Sequence, residues 1–97
     1  MAYLLQKNSN GSSANQWPLT EQPLRMGRSH SMDAVVADPA VSRHHFTIEH
    51  RHGAHVLVDH QSTNGTRVNG ERVTEIRLLP NDRIAAGKTK FLFMGGL

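Results

Sequence analysis

The sequence contains no cysteine, few aromatic residues and no long hydrophobic run, and each absence narrows the range of functions. Without cysteine the chain forms no disulfide bonds and has no thiolate chemistry, which agrees with a reducing compartment. No apolar stretch approaches the length that crosses a membrane, and the N-terminal residues 2–5 lack the basic flank of a signal peptide. We therefore expect a soluble, cytoplasmic protein that does not associate with membranes.

What the sequence does contain is a series of short apolar runs separated by turn signals, with no sustained helical periodicity. This pattern predicts an all-β protein. Phe46 and Ile48, for example, alternate with Thr47 and Glu49, as expected of a strand with one buried and one solvated face. Strands are expected at residues 2–5, 17–19, 24–26, 34–36, 45–49, 55–59, 66–68, 72–73, 75–78, 82–85 and 89–94. Many short strands joined by tight turns favour a two-sheet antiparallel β-sandwich.

Length and turn chemistry set the organisation of the chain. At 97 residues with 37% hydrophobic content, the chain suffices for one core, so we expect a single domain over residues 1–97. Asn69-Gly70 predicts a two-residue hairpin, because a type I′ turn needs positive φ at both central positions. Residues 6–16 are rich in Asn, Ser and Gly, and they are interpreted as a mobile loop within the first hairpin or as an N-terminal linker.

Three short polar clusters lie on predicted turns. They are Gly27-Arg28, then the segment from Ser42 to His45, then the segment from Ser62 to Thr66, with Asn69-Gly70 close behind. An arginine supplies a planar fork of donors, serine and threonine supply hydroxyls, and glycine and asparagine let backbone N–H groups turn outward. One pocket built from all three clusters would bind a phosphate.

The overall charge agrees with an anionic ligand. The net charge is +3 and the sequence pI is about 10.0. The basic residues are scattered along the sequence, and with one Trp and one Tyr there is no visible platform for stacking bases. We therefore expect no nucleic-acid partner; a modest positive field that attracts acidic phosphopeptides suits the composition at least as well.

The order and spacing of the clusters resemble the forkhead-associated (FHA) domain, a family that reads phosphothreonine peptides. The resemblance runs from about Leu24 to Phe93. Asp59 stands where the family places an aspartate before the Ser/Thr-Asn-Gly loop. Asn81 stands where the family usually has glycine, a mild departure because Asn tolerates a left-handed backbone.

The resemblance implies a sandwich whose loops at one end form the binding site, and it assigns roles position by position. Arg28 would contact the phosphate through its fork, Ser42 would hydrogen-bond a phosphate oxygen, and Arg43 would add charge or brace the loop. Thr63 would close the phosphate pocket, and Asn64 would bind the peptide main chain. Five further residues would support the site structurally: Gly27, His45, Gly65, Asn69 and Gly70.

A metal site and a hydrolytic active site are the two alternatives to this interpretation. Six of the seven histidines lie between residues 44 and 60, but their spacing matches no known metal site and no cysteine completes a set. Ser42, His45 and Asp59 are the residue types of a hydrolytic triad, yet no nucleophile-elbow motif surrounds Ser42. We expect no metal, no cofactor and no enzymatic activity.

The sequence thus predicts a module that binds a phosphothreonine-containing segment of a Ser/Thr kinase substrate. Phosphorylation adds about −1.5 to −2 charge and three acceptor oxygens, which turn a weak ligand into a strong one. The alternative is an FHA-like scaffold for phosphate-independent protein contact or self-association. The sequence leaves the oligomeric state open.

Overall fold

The computed structural model describes residues 1–95, so the last two residues of the predicted domain lie outside the described range. The strands are β1 (Ala2–Lys7), β2 (Ser13–Leu19), β3 (Leu24–Gly27), β4 (Ala34–Val35), β5 (Phe46–Arg51), β6 (Ala54–Asp59), β7 (Thr66–Val68), β8 (Glu71–Val73), β9 (Glu75–Arg77), β10 (Arg83–Ala86) and β11 (Thr89–Gly95). Each corresponds to a strand predicted from the sequence. Over residues 1–95 there is no helix long and apolar enough to cross a membrane.

The strands form two sheets that share one core. The six-stranded sheet has the order β2-β1-β11-β10-β7-β8, and the five-stranded sheet has the order β4-β3-β5-β6-β9. The predicted all-β sandwich is confirmed. One strand pair departs from the antiparallel prediction, because β4 runs parallel to β3. β4 is reached from β3 through a loop that turns back along the sheet edge, so the two strands share a direction.

The core comes from the inward positions of both sheets. Phe46 and Ile48 of β5 are buried, as their alternation predicted, and Phe46 meets Phe91 of β11 edge-to-face at 5.8 Å between ring centroids. Thr47 was expected to be solvated but is only 5% exposed. The rings of His44 and His60 cover it, and each places its Nε2 within hydrogen-bond distance of the Thr47 hydroxyl.

Two turns have the backbone conformations that their residues predict. Asn69 and Gly70 have φ values of 52° and 88°, which confirms positive φ at both centres of the β7–β8 hairpin. Asn81 has a φ of 71°, so it occupies the left-handed region that glycine usually occupies in this family. Asn81 therefore gives the turn the backbone conformation that glycine would give it.

The interpretation of residues 6–16 as a loop or linker is wrong for most of that segment. β1 continues to Lys7 and β2 begins at Ser13, and the loop between them covers only residues 8–12. It closes with a hydrogen bond from the Asn8 N–H to the Ser12 carbonyl. Since β2 is an edge strand whose first four side chains are exposed, it carries no apolar alternation there to indicate a strand.

Four loops meet at one end of the sandwich. We call this the loop end, and define it as residues 28–33 after β3, 36–45 after β4, 60–65 after β6 and 87–88 after β10. Hydrogen bonds join the loops directly, from Arg28 N–H to Ser42 O, from Thr63 N–H to Ser42 Oγ and from Lys88 N–H to Asp38 Oδ2. The polar clusters of the sequence therefore converge on one surface.

Candidate functional site

Arg28 is held at the start of the first loop by its own backbone and side chain. Its N–H donates to Ser42 O at 3.0 Å, and its Nε donates to Val41 O at 3.0 Å. The terminal guanidinium nitrogens make no hydrogen bond within residues 1–95, and no carboxylate of that range lies within ion-pair distance. The guanidinium is thus oriented while its terminal donors stay available to a ligand.

Gly27 brings the first loop close to the second. A Cβ at Gly27 would overlap the backbone carbonyl of Arg43, so only glycine permits the two segments to approach this closely. That approach allows Ser29 N–H to donate to Arg43 O at 3.1 Å. The predicted structural role of Gly27 thus has a physical basis in this contact.

Ser42 joins the second and third loops and keeps its own proton. Its Oγ accepts a hydrogen bond from the Thr63 N–H at 3.1 Å. A hydroxyl accepts through its lone pairs and donates through a single proton, so this bond leaves the O–H available to donate. The Ser42 hydroxyl is therefore positioned to donate to an acidic oxygen of a ligand.

His45 lies beneath these loops, with an exposed fraction of 0%. Its Nδ1 accepts from the Ser42 N–H at 3.0 Å, which requires the ring proton to sit on Nε2. Nε2 then donates to Gly65 O at 2.9 Å. The ring joins the second loop to the third, and both nitrogens are occupied by backbone groups. It is therefore no general base for the Ser42 hydroxyl.

Asp59 organises the third loop from the end of β6. It accepts from the Ser62 hydroxyl at 2.6 Å, the Thr66 hydroxyl at 2.7 Å and the Ser62 N–H at 3.1 Å. Burial raises the pKa of Asp59, but these three hydrogen bonds outweigh it, and the pKa lies below its ordinary value. The carboxylate is committed to the loop and not to a ligand.

Asn64 and Thr63 project from the loop that Asp59 organises. The Asn64 amide donates to Ala40 O at 2.8 Å, which joins the third loop to the second. Its Oδ1 and second N–H remain for a peptide main chain. Both side chains are exposed, and the following Gly65 has a φ of 81°, so it turns the chain back toward β7.

The loop end also has an apolar side. A groove of about 530 Å³ runs beside Arg28 and is lined by Arg28, His30, Val35, Ala37 and Pro39. Val35 is 38% exposed, which is unusual for a large apolar side chain in this fold. A phosphate held by Arg28 would therefore have an apolar groove next to it.

Comparison with known proteins agrees with this geometry. The FHA domain family model matches residues 24–87. The chain belongs to the FHA domain family. Among curated relatives, the ABC transporter ATP-binding/permease protein Rv1747 of Mycobacterium tuberculosis is 36% identical over 73 residues, covering 75% of this chain and 8% of the relative. The transcriptional regulatory protein EmbR of the same species is 34% identical over 83 residues, covering 84% of this chain and 21% of EmbR.

Solved FHA domains share the fold along nearly the whole chain. EmbR in complex with a low-affinity phosphopeptide superposes with a TM-score of 0.85 at 33% identity, covering 96% of this chain and 24% of that chain. A structure from work on phosphothreonine-dependent FHA domain interactions gives a TM-score of 0.88 at 29% identity, covering 97% and 95%. This FHA domain spans only a small part of the curated relatives Rv1747 and EmbR.

The predicted site residues of the FHA domain do not all lie together. Hydrogen bonds join the loops that carry Arg28, Ser42, Thr63 and Asn64. Arg43, which follows Ser42 in the second loop, is exposed. Asn69 and Gly70 lie at the far end of β7. There the Asn69 amide donates to Asp82 and accepts from the Arg83 N–H. These two residues support the scaffold and do not contact the site.

Sequence reasoning also left Asp38 out of the site. Its two oxygens accept from the Ala40 N–H, the Lys88 N–H and the Thr89 hydroxyl, which joins the second loop to the β10–β11 turn. Burial raises the pKa of Asp38, but these hydrogen bonds more than offset it and lower the pKa. The pair Asp38-Pro39 is typical of a turn, and that was the only local signal. Its hydrogen-bond partners Lys88 and Thr89 lie about fifty residues away, so no local pattern indicates them.

Proposed function

We propose that this FHA domain binds a phosphothreonine-containing segment of a partner protein and thereby couples Ser/Thr kinase activity to assembly. The observation that carries the proposal is a set of unused donors at the loop end. Within residues 1–95, the Arg28 terminal nitrogens and the Ser42 hydroxyl proton have no acceptor, and no carboxylate forms an ion pair with Arg28. Such a set suits a phosphate dianion.

Each donor has a distinct role in this proposal. The two terminal nitrogens of Arg28 donate parallel N–H bonds to two phosphate oxygens, and the Ser42 hydroxyl donates to the third oxygen. Thr63 closes the pocket with its own hydroxyl. Arg43 is exposed on the same loop and contributes charge. Asn64 uses Oδ1 and its second N–H to bind the peptide main chain.

The groove beside Arg28 receives the residues that follow the phosphothreonine. Its lining is apolar at Val35, Ala37 and Pro39. An aliphatic side chain placed there gains about 25 cal/mol for each Å² of apolar surface removed from water. We therefore propose a preference for an aliphatic residue within reach of this groove.

We also propose the residue bounds of the domain, its location in the cell and its lack of catalytic activity. We propose that residues 1–97 form one FHA domain, since β1 and β2, which precede the family match, pair with each other, and β1 also pairs with β11. The domain acts in the cytoplasm, where its lack of cysteine is appropriate. It is not an enzyme and needs no cofactor or metal, because the proposed activity is binding.

The test is a comparison of phosphorylated and unphosphorylated forms of one peptide. A degenerate phosphothreonine library identifies a ligand, and calorimetry then measures both forms. Two or three charge-assisted hydrogen bonds at about 1.5–3 kcal/mol each predict a loss of a hundredfold or more when the phosphate is absent. Equal affinities would favour the alternative, an FHA-like scaffold for phosphate-independent contact or self-association.

A further inference from the structure

The strands of the six-stranded sheet carry a one-sided charge. Five of their residues are basic and one, Glu71, is acidic; the basic residues are Lys7, Arg67, Arg72, Arg83 and Lys90. The strand register places all five on the outward side, whereas Glu71 belongs to the inward register opposite Val68. We call the outward surface formed by these five residues the basic face. The strand register thus brings together on one face basic residues that are scattered along the sequence.

Four of these cations lie in one row across five strands. Lys7 is directly opposite Lys90, Lys90 is opposite Ala85, Ala85 is opposite Arg67, and Arg67 is opposite Arg72. The row thus contains two directly opposed pairs of like charge. Such pairs destabilise a sheet, so the fold itself gains nothing from them.

No carboxylate neutralises the basic face. None of its five cations forms a salt bridge within residues 1–95, and all except the half-buried Lys7 are exposed. Of the three arginines on the strands of the five-stranded sheet, two form salt bridges. There Arg25 pairs with Asp33, and Arg51 pairs with both Glu49 and Glu75. The charge of the basic face is therefore available to an external partner.

The surface between the cations is apolar. A groove of about 440 Å³ is lined by Lys7, Arg67, Arg83, Ala85, Lys90 and Leu92, among others. Leu92 lies directly opposite Leu5, and both are half-buried on the same outward side. A ligand that covers this surface gains from apolar contact as well as from charge.

We propose that the basic face binds an acidic, partly apolar segment of a partner protein, at a site separate from the phosphate pocket. Four strand spacings of about 4.8 Å give the row a length of about 19 Å, which matches about six extended residues. Carboxylates would pair with the cations and aliphatic side chains would cover Leu5 and Leu92.

Charge complementarity selects this occupant over two others. A second copy of the domain packed face to face would place the same cations against each other, because a two-fold interface brings identical patches together. A nucleic acid would satisfy the charges through its phosphates. However, a nucleic acid has no branched aliphatic side chains to cover Leu5 and Leu92, whereas a peptide does.

The proposal does not rest on phosphate recognition, since none of the five cations forms a hydrogen bond with Arg28 or Ser42. Arg72 borders the loop end, because its side chain lies against Gly65. A partner with both a phosphothreonine and an acidic stretch could therefore engage the two surfaces together, which raises overall affinity through effective concentration.

The test uses a fluorescein-labelled nine-residue peptide of six Glu and three Leu, with no phosphothreonine, and measures its binding by fluorescence anisotropy at low and high salt. We expect binding that weakens strongly as the salt concentration rises. Lys90→Glu and Arg67→Glu should each weaken it about tenfold or more. Arg77→Glu is the matched control, because it makes the same charge change at an exposed arginine of the other sheet and should change affinity less than about twofold.

Thermal melts and a competing ligand complete the experiment. Lys90→Glu replaces the like pair with Lys7 by an opposite pair, so its Tm should equal or exceed that of the wild type. Its affinity for a phosphothreonine peptide should stay within about threefold of the wild type. Three results would overturn the proposal: no binding by the wild type at low salt, an equal loss in Arg77→Glu, or tighter binding of a 12-base-pair DNA duplex than of the peptide.

Discussion

The loop end and the basic face both present cations without carboxylate partners, but they hold them differently. At the loop end Arg28 is oriented by a hydrogen bond to Val41 O, and Ser42 is fixed by bonds from Thr63 and to His45. On the basic face, Lys7, Lys90, Arg67 and Arg72 are aligned by strand register alone. The first surface is arranged by side-chain geometry and the second by sheet geometry.

This difference predicts two kinds of recognition. A site of fixed donors depends on hydrogen-bond directions, so it should lose affinity when a donor changes shape even if its charge is kept. A surface of flexible cations depends on summed potential, so it should tolerate exchange of Lys for Arg and respond to salt. We therefore expect geometric recognition at the loop end and electrostatic recognition at the basic face.

The largest expected effect comes from removing the support of the loop end. His45→Ala leaves the Ser42 N–H and the Gly65 carbonyl without their partner in a fully buried position. We expect a loss of about 3–5 kcal/mol in unfolding free energy, from the cavity and the unsatisfied groups together. Chemical denaturation measures it, and phosphopeptide affinity should fall as well.

The matched control for that variant is His52→Asn. His52 is exposed in the β5–β6 turn with a φ of 49°, which Asn tolerates. Its stability and peptide affinity should both stay near the wild type. A His45→Ala protein that folds and binds phosphopeptide as well as His52→Asn would show that the loop end is not organised by this ring.

A smaller effect should follow from separating the first two loops. In Gly27→Ala the new Cβ meets the Arg43 carbonyl, so the backbone must shift and Arg28 must move with it. We expect about a tenfold loss of phosphothreonine-peptide affinity, equivalent to about 1.4 kcal/mol. Binding to the basic face should not change, which distinguishes the two surfaces by titration with the two peptides.

Gly53→Ala controls for backbone strain without site movement. Gly53 has a φ of 78° and no atom near its Cβ position, so alanine there costs stability through conformation alone. If Gly53→Ala lowered phosphopeptide affinity as much as Gly27→Ala, the loss would reflect general destabilisation and not the geometry of the loop end.

The sequence predicted most strands because their signals are local. Alternation at Phe46 and Ile48 and the Asn69-Gly70 turn need only neighbouring residues to be recognised. The early part of β2 was missed because an edge strand with exposed side chains carries no alternation. The parallel pairing of β3 with β4 was missed for a different reason, since strand direction depends on the path of the loop between them.

The site was predicted through a family motif and the basic face was not predicted at all. Arg28, Ser42 and Asn64 stand in a recognisable order, so a resemblance could assign their roles. Lys7 and Lys90 are separated by most of the chain, and only the β1–β11 register places them side by side. Register is fixed by the whole core, so a single sequence without a fold does not reveal such a surface.

The smallest expected effect is a pH dependence of stability that arises at the loop end, to which His44 belongs. Burial lowers the pKa of His44, and the nearby His60 and Arg25 lower it further. The unfolded chain therefore takes up the proton more readily, so stability is fully present above the ordinary histidine pKa of about 6.5 and declines as the pH falls below it.

His44→Gln should reduce this pH dependence. We expect a difference of about 2 °C or less between wild type and variant in the change of Tm from pH 7.5 to pH 5.5, since the ring is partly exposed and screened. His55, whose pKa is lowered by burial and by the nearby His50, accounts for part of the remainder. An unchanged pH dependence in His44→Gln would remove His44 from this account.

The central claim, that the loop end recognises phosphate through fixed geometry, is tested most directly by Arg28→Lys. Phosphothreonine-peptide affinity is measured for the wild type and for the Lys variant at about 50 and 500 mM salt, at which surface charges are weakly and strongly screened, respectively. An ammonium keeps the charge but lacks the planar fork, so we predict a loss of about tenfold or more at both salt concentrations. Near wild-type affinity in the Lys variant would contradict the account.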